Sequence, residues 1–433
     1  MSTQGRYSHI VRLGEGTYGA VYKATEKDTG KVIAFKRMNA VSDDDGVPGI
    51  AIREVCLLKE LRHQNLVELF DVLFDSKKIT LIFEFCDFDL KQYMETKPKR
   101  CLDAEEVQPA LKQIFAGLHY LHHRSVVHRD IKPQNVFLNI RPSAYSLNSY
   151  AQHPNGPSDS NGGGSNHPDG DGARVATAPP ENRSAKQLVA KLGDFGLARV
   201  ENIPVKKYSH EAVTLWYRSP DVLLGSALYS FPVDIWSMGV MFFEMVTGRI
   251  LFAGHSDEEQ LVRMFRLLGS PTKDTWPSML SYPSTSDRVT RARQLVAMAA
   301  SGPAPAGGGS SKAGGGHHGD GTHRMLTCYS SALTQPAPPM PDPPPQNTCL
   351  LPEELWFPQS LFQQYMTSTG FRAVCGEDGV DLIRRCLMYE PSKRITAAEA
   401  LRHPFLRNVQ TPKTGYLDNL MTALQQSLEA AGI

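Results

Sequence analysis

Two aspartates, two lysines and an asparagine set the chemistry open to this 433-residue chain. Asp130, Lys132 and Asn135 share the run His128-Arg129-Asp130-Ile131-Lys132-Pro133-Gln134-Asn135. Asp194 opens Asp194-Phe195-Gly196, and Lys36 closes Ile33-Ala34-Phe35-Lys36. Ahead of them stands Gly14-Glu15-Gly16-Thr17-Tyr18-Gly19-Ala20-Val21, and behind them Ser219-Pro220-Asp221. Any one motif could be accidental. In this order they supply a phosphate cover, a lysine for phosphate oxygens, a base for a hydroxyl and two magnesium ligands, which together is what phosphoryl transfer from ATP needs.

Asp130 is the expected base, which has to reach the acceptor hydroxyl within hydrogen-bond distance. Lys132 would neutralise the transferring phosphoryl group. Asn135 offers a carbonyl oxygen and Asp194 a carboxylate, hard ligands suited to Mg2+. Lys36 is expected at the end of an apolar strand, Val32 to Phe35, holding phosphate oxygens while Glu54 on a following helix fixes its position. A glycine pattern alone is weak, because dinucleotide-binding folds use one between a strand and a helix. Here β-like residues lie on both sides, so the glycines read as a hairpin whose backbone can approach phosphates closely. The expected nucleotide contacts run through Leu13, Gly14, Glu15, Gly16, Thr17, Tyr18, Gly19, Ala20 and Val21, with Val21 over the adenine.

These side chains need a scaffold of two kinds. From Tyr7 to about Phe85 short β-rich runs alternate with turn signals, interrupted by a helical stretch near Ile50 to Leu61. Beyond Asp89 helical spacing takes over: Val107, Ala110, Leu111, Ile114, Leu118 and Leu121 mark one helix, Val233 to Thr247 a second and Gly379 to Tyr389 a third. The expected fold is α+β, with a small β-rich lobe (7–85) carrying one regulatory helix and a larger, mainly helical lobe (86–406). Segments near 142–187 and 296–348 are rich in Gly, Ser, Pro and Ala, cannot offset the entropy of ordering, and read as disordered insertions. The tail, 407–433, places Leu417, Leu420, Met421, Leu424 and Leu428 on one face of a helix that either packs on the large lobe or docks a partner.

Composition narrows the class further. A net charge of +1 with no basic run argues against nucleic-acid binding. No apolar run reaches the roughly 18 residues of a membrane span, and the polar start does not read as a signal peptide. The seven cysteines are scattered and odd in number, as expected of reduced thiols in the cytoplasm and nucleus.

On these motifs the chain resembles the protein kinases, and most of all the cyclin-dependent kinases. The glycine run, Pro48-Gly49-Ile50-Ala51-Ile52-Arg53-Glu54 and Val213-Thr214-Leu215-Trp216-Tyr217-Arg218 carry the likeness. Phe83-Glu84-Phe85-Cys86-Asp87, Asn202-Ile203-Pro204-Val205 and Pro220-Asp221 point to the branch of the yeast phosphate-signalling and animal neuronal kinases. The resemblance implies a bilobal kinase that transfers the γ-phosphoryl of ATP to serine or threonine, next to proline, once a cyclin is bound. Lys132 fits serine/threonine specificity. The implied role lies in the cell cycle or in nutrient and phosphate signalling.

The resemblance also implies that Phe83 lies behind the adenine, that Glu84 and Cys86 bond its edge through backbone groups, and that Asp89 reaches the ribose. A cyclin would engage the Pro48–Glu54 helix and the activation loop. In that loop Ser209 would face Arg53, Arg129 and Arg199, while Thr17 and Tyr18 match inhibitory phosphosites. Asp221 is expected to pair with Arg394. Gly49 and Ile50 depart from the cyclin-binding signature, so partner choice could differ. The long insertion between Asn139 and Leu192 either links adjacent strands harmlessly or drapes into the cleft. A catalytically silent cyclin-binding scaffold is the alternative, against which the intact Lys36, Asp130, Asn135 and Asp194 argue.

Overall fold

A computed structural model describes residues 3–16, 19–38, 55, 58–75, 78–142, 186–194, 199–200, 215–226, 230–300, 349–357 and 361–411. The chain divides into two compact units. One comprises Met1–Ile203, Glu244–Gly248 and Thr396–Ile433, the other Pro204–Phe243 and Arg249–Ile395.

After a one-turn helix, Thr3–Arg6, the first unit has five strands, β1 (Tyr7–Gly16), β2 (Gly19–Glu26), β3 (Val32–Met38), β4 (Leu69–Asp75) and β5 (Lys78–Glu84). They pair antiparallel in the order β1-β2-β3-β5-β4. Alternation along β3 decides the faces: Ile33 and Phe35 go into the core with Tyr7, Ala24 and Ile82, which turns Ala34 and Lys36 to the opposite face. Lys36 thus lies inside β3, two residues short of its end, and not at a strand terminus as its sequence context suggests. The glycine run is a hairpin, with Gly14 opposite Val21 and Gly16 opposite Gly19. Of the helix expected near Ile50 to Leu61, Val55 and Leu58–Glu60 are helical, and Val55, Leu58 and Leu61 are buried.

Two short strands follow, β6 (Phe88–Asp89) and, after the helices Leu90–Glu95 and Ala104–His123, β7 (Val126–Val127). The Ala104–His123 helix buries Val107, Ala110, Leu111, Ile114, Leu118 and Leu121, the stripe its sequence spacing defines. At its start the Glu106 carboxylate accepts the Asp103 N–H at 3.0 Å, half of a capping box. Strands β8 (Val136–Pro142) and β9 (Lys186–Leu192) pair antiparallel from Val136↔Leu192 to Pro142↔Lys186. Residues 143–185 of the insertion lie outside the described residues, which leaves both alternatives above open; its outermost residues, Pro142, Lys186 and Gln187, belong to the paired strands. β10 (Arg199–Val200) pairs with β7.

The second unit is helical, with helices Pro232–Thr247 (its last turn counted in the first unit), Asp257–Leu268, Thr285–Ala300, Leu361–Ser368 and Phe371–Cys386. Phe242 and Phe243 pack on Phe371 with ring centroids 5.0 and 5.9 Å away. Arg394 Nη2 donates to Asp221 Oδ1 at 2.5 Å with both side chains out of solvent. The expected pair is therefore present. Two boundaries differ from the sequence reading. The helix expected over Gly379 to Tyr389 runs Phe371–Cys386, kinked at Gly376 where φ is 64°. Residues 296–300, assigned to the second insertion, complete the Thr285–Ala300 helix. Among the described residues no helix is long and apolar enough to cross a membrane.

Candidate active site

One face of the five-stranded sheet gathers the nucleotide-side residues. Val21 stands opposite Lys36, which stands opposite Leu81; Ala34 stands opposite Phe83. Directly opposed residues project from the same face, so Val21, Lys36 and Phe83 share one surface. Leu13 and Gly14 are solvent-exposed in β1, and a Cβ built on Gly14 meets nothing within 4 Å. Glu15, also exposed, pairs with Arg12. Ala20 is half-buried. The backbone at Gly16 and Gly19 closes the hairpin, and Thr17 and Tyr18 lie outside the described residues.

The catalytic-loop run and the Asp194 motif are stitched together. The buried His128 ring lies with Nε2 3.0 Å from the Gly193 carbonyl, and its Nδ1 accepts the Asp130 N–H at 3.3 Å. Gly193 N–H in turn donates to the Asn135 carbonyl at 3.0 Å. Gly193 must be glycine: a Cβ there would sit 2.7 Å from Val67 Cγ2 and 2.8 Å from Phe137 Cε2. Arg129 (φ 72°) and Asp194 (φ 53°) both adopt the left-handed region, a strained choice for residues with side chains.

Around Asp130 the polar groups converge. Lys132 Nζ reaches Asp130 Oδ2 at 2.8 Å. Asn135 Nδ2 donates to both the Asp130 carbonyl and Asp130 Oδ2, each at 2.8 Å. With its amide protons so engaged, Asn135 has its Oδ1 left as the acceptor it can offer to a cation. Lys36 Nζ donates to Asp194 Oδ1 at 2.9 Å. Burial pushes the Asp194 carboxyl up, but Lys36, and then His128 and Lys132, outweigh it and hold the group below its ordinary value, charged at neutral pH. Asp130, Lys132, Asn135, Asp194 and Lys36 therefore meet. Glu54 does not enter this picture, since it lies outside the described residues, as do Pro48–Arg53, Ser209, the Arg199 side chain and the tail helix Tyr416–Leu428.

The segment joining the strands to the helices is held from behind. Glu84 Oε1 accepts from Lys191 Nζ at 2.7 Å and from the Glu68 N–H at 2.8 Å. Lys191 is nearly inaccessible and also approaches the Leu66 carbonyl at 3.4 Å. Motif reasoning passes over Lys191. The signal that could find it is one cation inside the apolar run Leu188-Val189-Ala190-Lys191-Leu192, which a buried strand tolerates only with a partner. Cys86 is partly buried, and burial, reinforced by Glu84, pushes its thiol up to about 12, so it is a neutral thiol. Asp89 caps the Leu90–Glu95 helix by accepting the Gln92 N–H at 2.8 Å, and burial raises its carboxyl above the ordinary value. The next residue but one, Lys91, donates to the buried Glu244 at 2.9 Å.

Two hard oxygen donors, Asn135 Oδ1 and an ionised Asp194, beside two lysines and an open glycine hairpin fit a divalent cation carrying phosphates. Comparison with known proteins agrees. The family model for the protein kinase domain matches residues 7–406. The "Cyclin-dependent kinase 2 homolog" of Crithidia fasciculata is 51% identical over 469 aligned positions covering 99% of each chain. The "Cell division control protein 2 homolog 1" of Trypanosoma brucei brucei is 35% identical, covering 92% of this chain and 97% of its own. The chain belongs to the protein kinase family and, within it, to the cyclin-dependent kinases. It has that family's α+β fold, a β-sheet N-lobe of antiparallel strands and a helical C-lobe, and it is an ATP-using serine/threonine kinase that works with a divalent metal.

Proposed function

We propose that this kinase phosphorylates serine or threonine followed by proline, using Mg-ATP, after a cyclin engages Pro48–Glu54 and the activation loop. The observation that carries the reading is the convergence of Lys132 and Asn135 on Asp130 within 2.8 Å, with Lys36 on Asp194 at 2.9 Å. Mg2+, when bound, would supply positive charge to offset what builds on the phosphate oxygens. Asn135 Oδ1 and Asp194 would hold it. Lys36 would turn from Asp194 to the α- and β-phosphates, positioned by Glu54. Asp130 would accept the hydroxyl proton, and the contacts from Lys132 and Asn135 hold its carboxylate in place. Val21 and Phe83 would enclose the adenine, Glu84 and Cys86 would offer backbone groups to its edge, and Asp89 would reach the ribose beyond its capping bond.

A role in the cell cycle is supported by the likeness to a cyclin-dependent kinase and to a cell division control protein. Residence in cytoplasm and nucleus is supported by the free thiols of the described cysteines, and cell fractionation checks it.

The test is a peptide assay on the full chain with candidate cyclins. A Ser-Pro peptide should be phosphorylated at least tenfold faster than its Ser-Ala counterpart, only with a cyclin present and only with Mg2+; ~1.4 kcal/mol of discrimination is enough for that ratio. Equal rates on both peptides would remove the proline preference, and cyclin binding without any transfer would favour the silent scaffold.

A further inference from the structure

In the whole sequence three serine or threonine residues precede proline: Ser219, Ser270 and Thr411. Two are sealed inside the fold. Ser219 and Ser270 are each 1% exposed, and the Ser270 hydroxyl is committed, donating to the Leu355 carbonyl at 2.6 Å and accepting the Phe357 N–H at 2.9 Å. Thr411 differs. It lies outside helix and strand, four residues beyond the Pro404–Arg407 helix, partly exposed and preceded by the exposed Gln410.

Local chemistry makes Thr411 a suitable acceptor. Pro412 drives the preceding residue into extended backbone, the form in which a peptide lies along a groove. Proline also has no N–H to satisfy when the segment leaves water. The neighbourhood is cationic: Lys112 Nζ donates to the Val409 carbonyl at 2.7 Å and the Arg407 carbonyl at 3.4 Å, which brings an ammonium to within two residues of Thr411 along the chain. Lys413 follows Pro412 in sequence. A phosphate, carrying ~−1.5 to −2 charges, meets attraction there and no acidic side chain within five residues on either side in sequence.

We propose that Thr411 is a phosphorylation site, modified by a second copy of this same kinase. The inference rests on the Ser/Thr-Pro reading above. Thr411 Oγ1 of one copy attacks the γ-phosphorus of ATP held by the other. The bond from that phosphorus to the bridging oxygen breaks, ADP leaves, and the hydroxyl proton passes to Asp130 of the copy acting as enzyme. No oxidant or reductant takes part.

The experiment uses the full chain purified from its native cells with its bound subunits, mapped for phosphopeptides as isolated and again after Mg-ATP, with a Ser-Pro peptide present as an internal control. Phosphate is expected on Thr411 as isolated and in greater amount after incubation. An Asp130→Asn chain should acquire it only when wild type is added. Thr411→Val should lose that phosphopeptide while peptide phosphorylation stays within twofold of wild type. An unmodified Thr411, both as isolated and after incubation, in a preparation that phosphorylates the peptide overturns this inference alone. Failure to phosphorylate either one overturns the kinase-specificity reading and this inference with it.

Discussion

Lys36 and Lys191 are both strand lysines, and the fold uses them in different ways. Lys36 projects from β3 to Asp194, and its place at the end of Ile33-Ala34-Phe35-Lys36 makes it legible in the sequence. Lys191 meets Glu84 across 107 residues of chain, a separation over which sequence spacing carries no information. The pair links β5 to the stretch that ends, three residues on, in Asp194. Removing one partner of a buried pair strands the other charge, typically at ~3–5 kcal/mol, and at less here because both side chains keep some exposure to water. We expect Lys191→Met to raise the KM for ATP roughly tenfold, equivalent to ~1.4 kcal/mol, with kcat near wild type and with Lys191→Arg restoring most of the loss. Steady-state kinetics decide; an unchanged KM would show that the pair does not position the nucleotide site.

At the scale of elements, the Ala104–His123 helix is fully legible because its apolar stripe repeats at three and four. The Phe371–Cys386 helix is not, since Gly370, Gly376 and Gly379 interrupt its pattern and only packing of Phe371 against Phe242 and Phe243 makes its first turns worthwhile. The connection from the regulatory-helix end into β4 depends on His63. Its Nδ1 accepts the Asn65 N–H at 3.1 Å and its ring stacks on Tyr120 at 5.0 Å. Burial, and then the charges of Lys191 and His119, lower its pKa from 6.5 to about 4. With the folded value depressed, the neutral ring's contribution is fully present above pH 6.5 and is lost as pH falls toward 4. Between pH 7 and 5 this group should lower stability by at most about 2 kcal/mol, at ~1.4 kcal/mol per pKa unit, and by less because water still reaches part of the ring. Denaturant melts of wild type and His63→Asn at the two pH values should show a shallower loss in the variant; parallel losses would contradict the assignment.

At the scale of the whole molecule, long-range pairings carry the fold. Asp221 and Arg394 are 173 residues apart, and β8 and β9 register residue by residue although a long insertion lies between them. The insertion is recognisable from composition, whereas the register of the strands that flank it is visible only in their pairing. The same pairing delivers Gly193 N–H to the Asn135 carbonyl and so fixes the Asp194 motif against the His128–Asn135 run. Everything then converges on Asp130, the group proposed to take the proton.

The most direct measurement is on Asp130→Asn, which keeps the shape of the side chain and removes its charge. With the cyclin-bound full chain, nucleotide affinity should match wild type while phosphoryl transfer to a Ser-Pro peptide falls by ~10²–10⁴, the usual contribution of a general base. Transfer at a rate comparable to wild type would show that another group does this work.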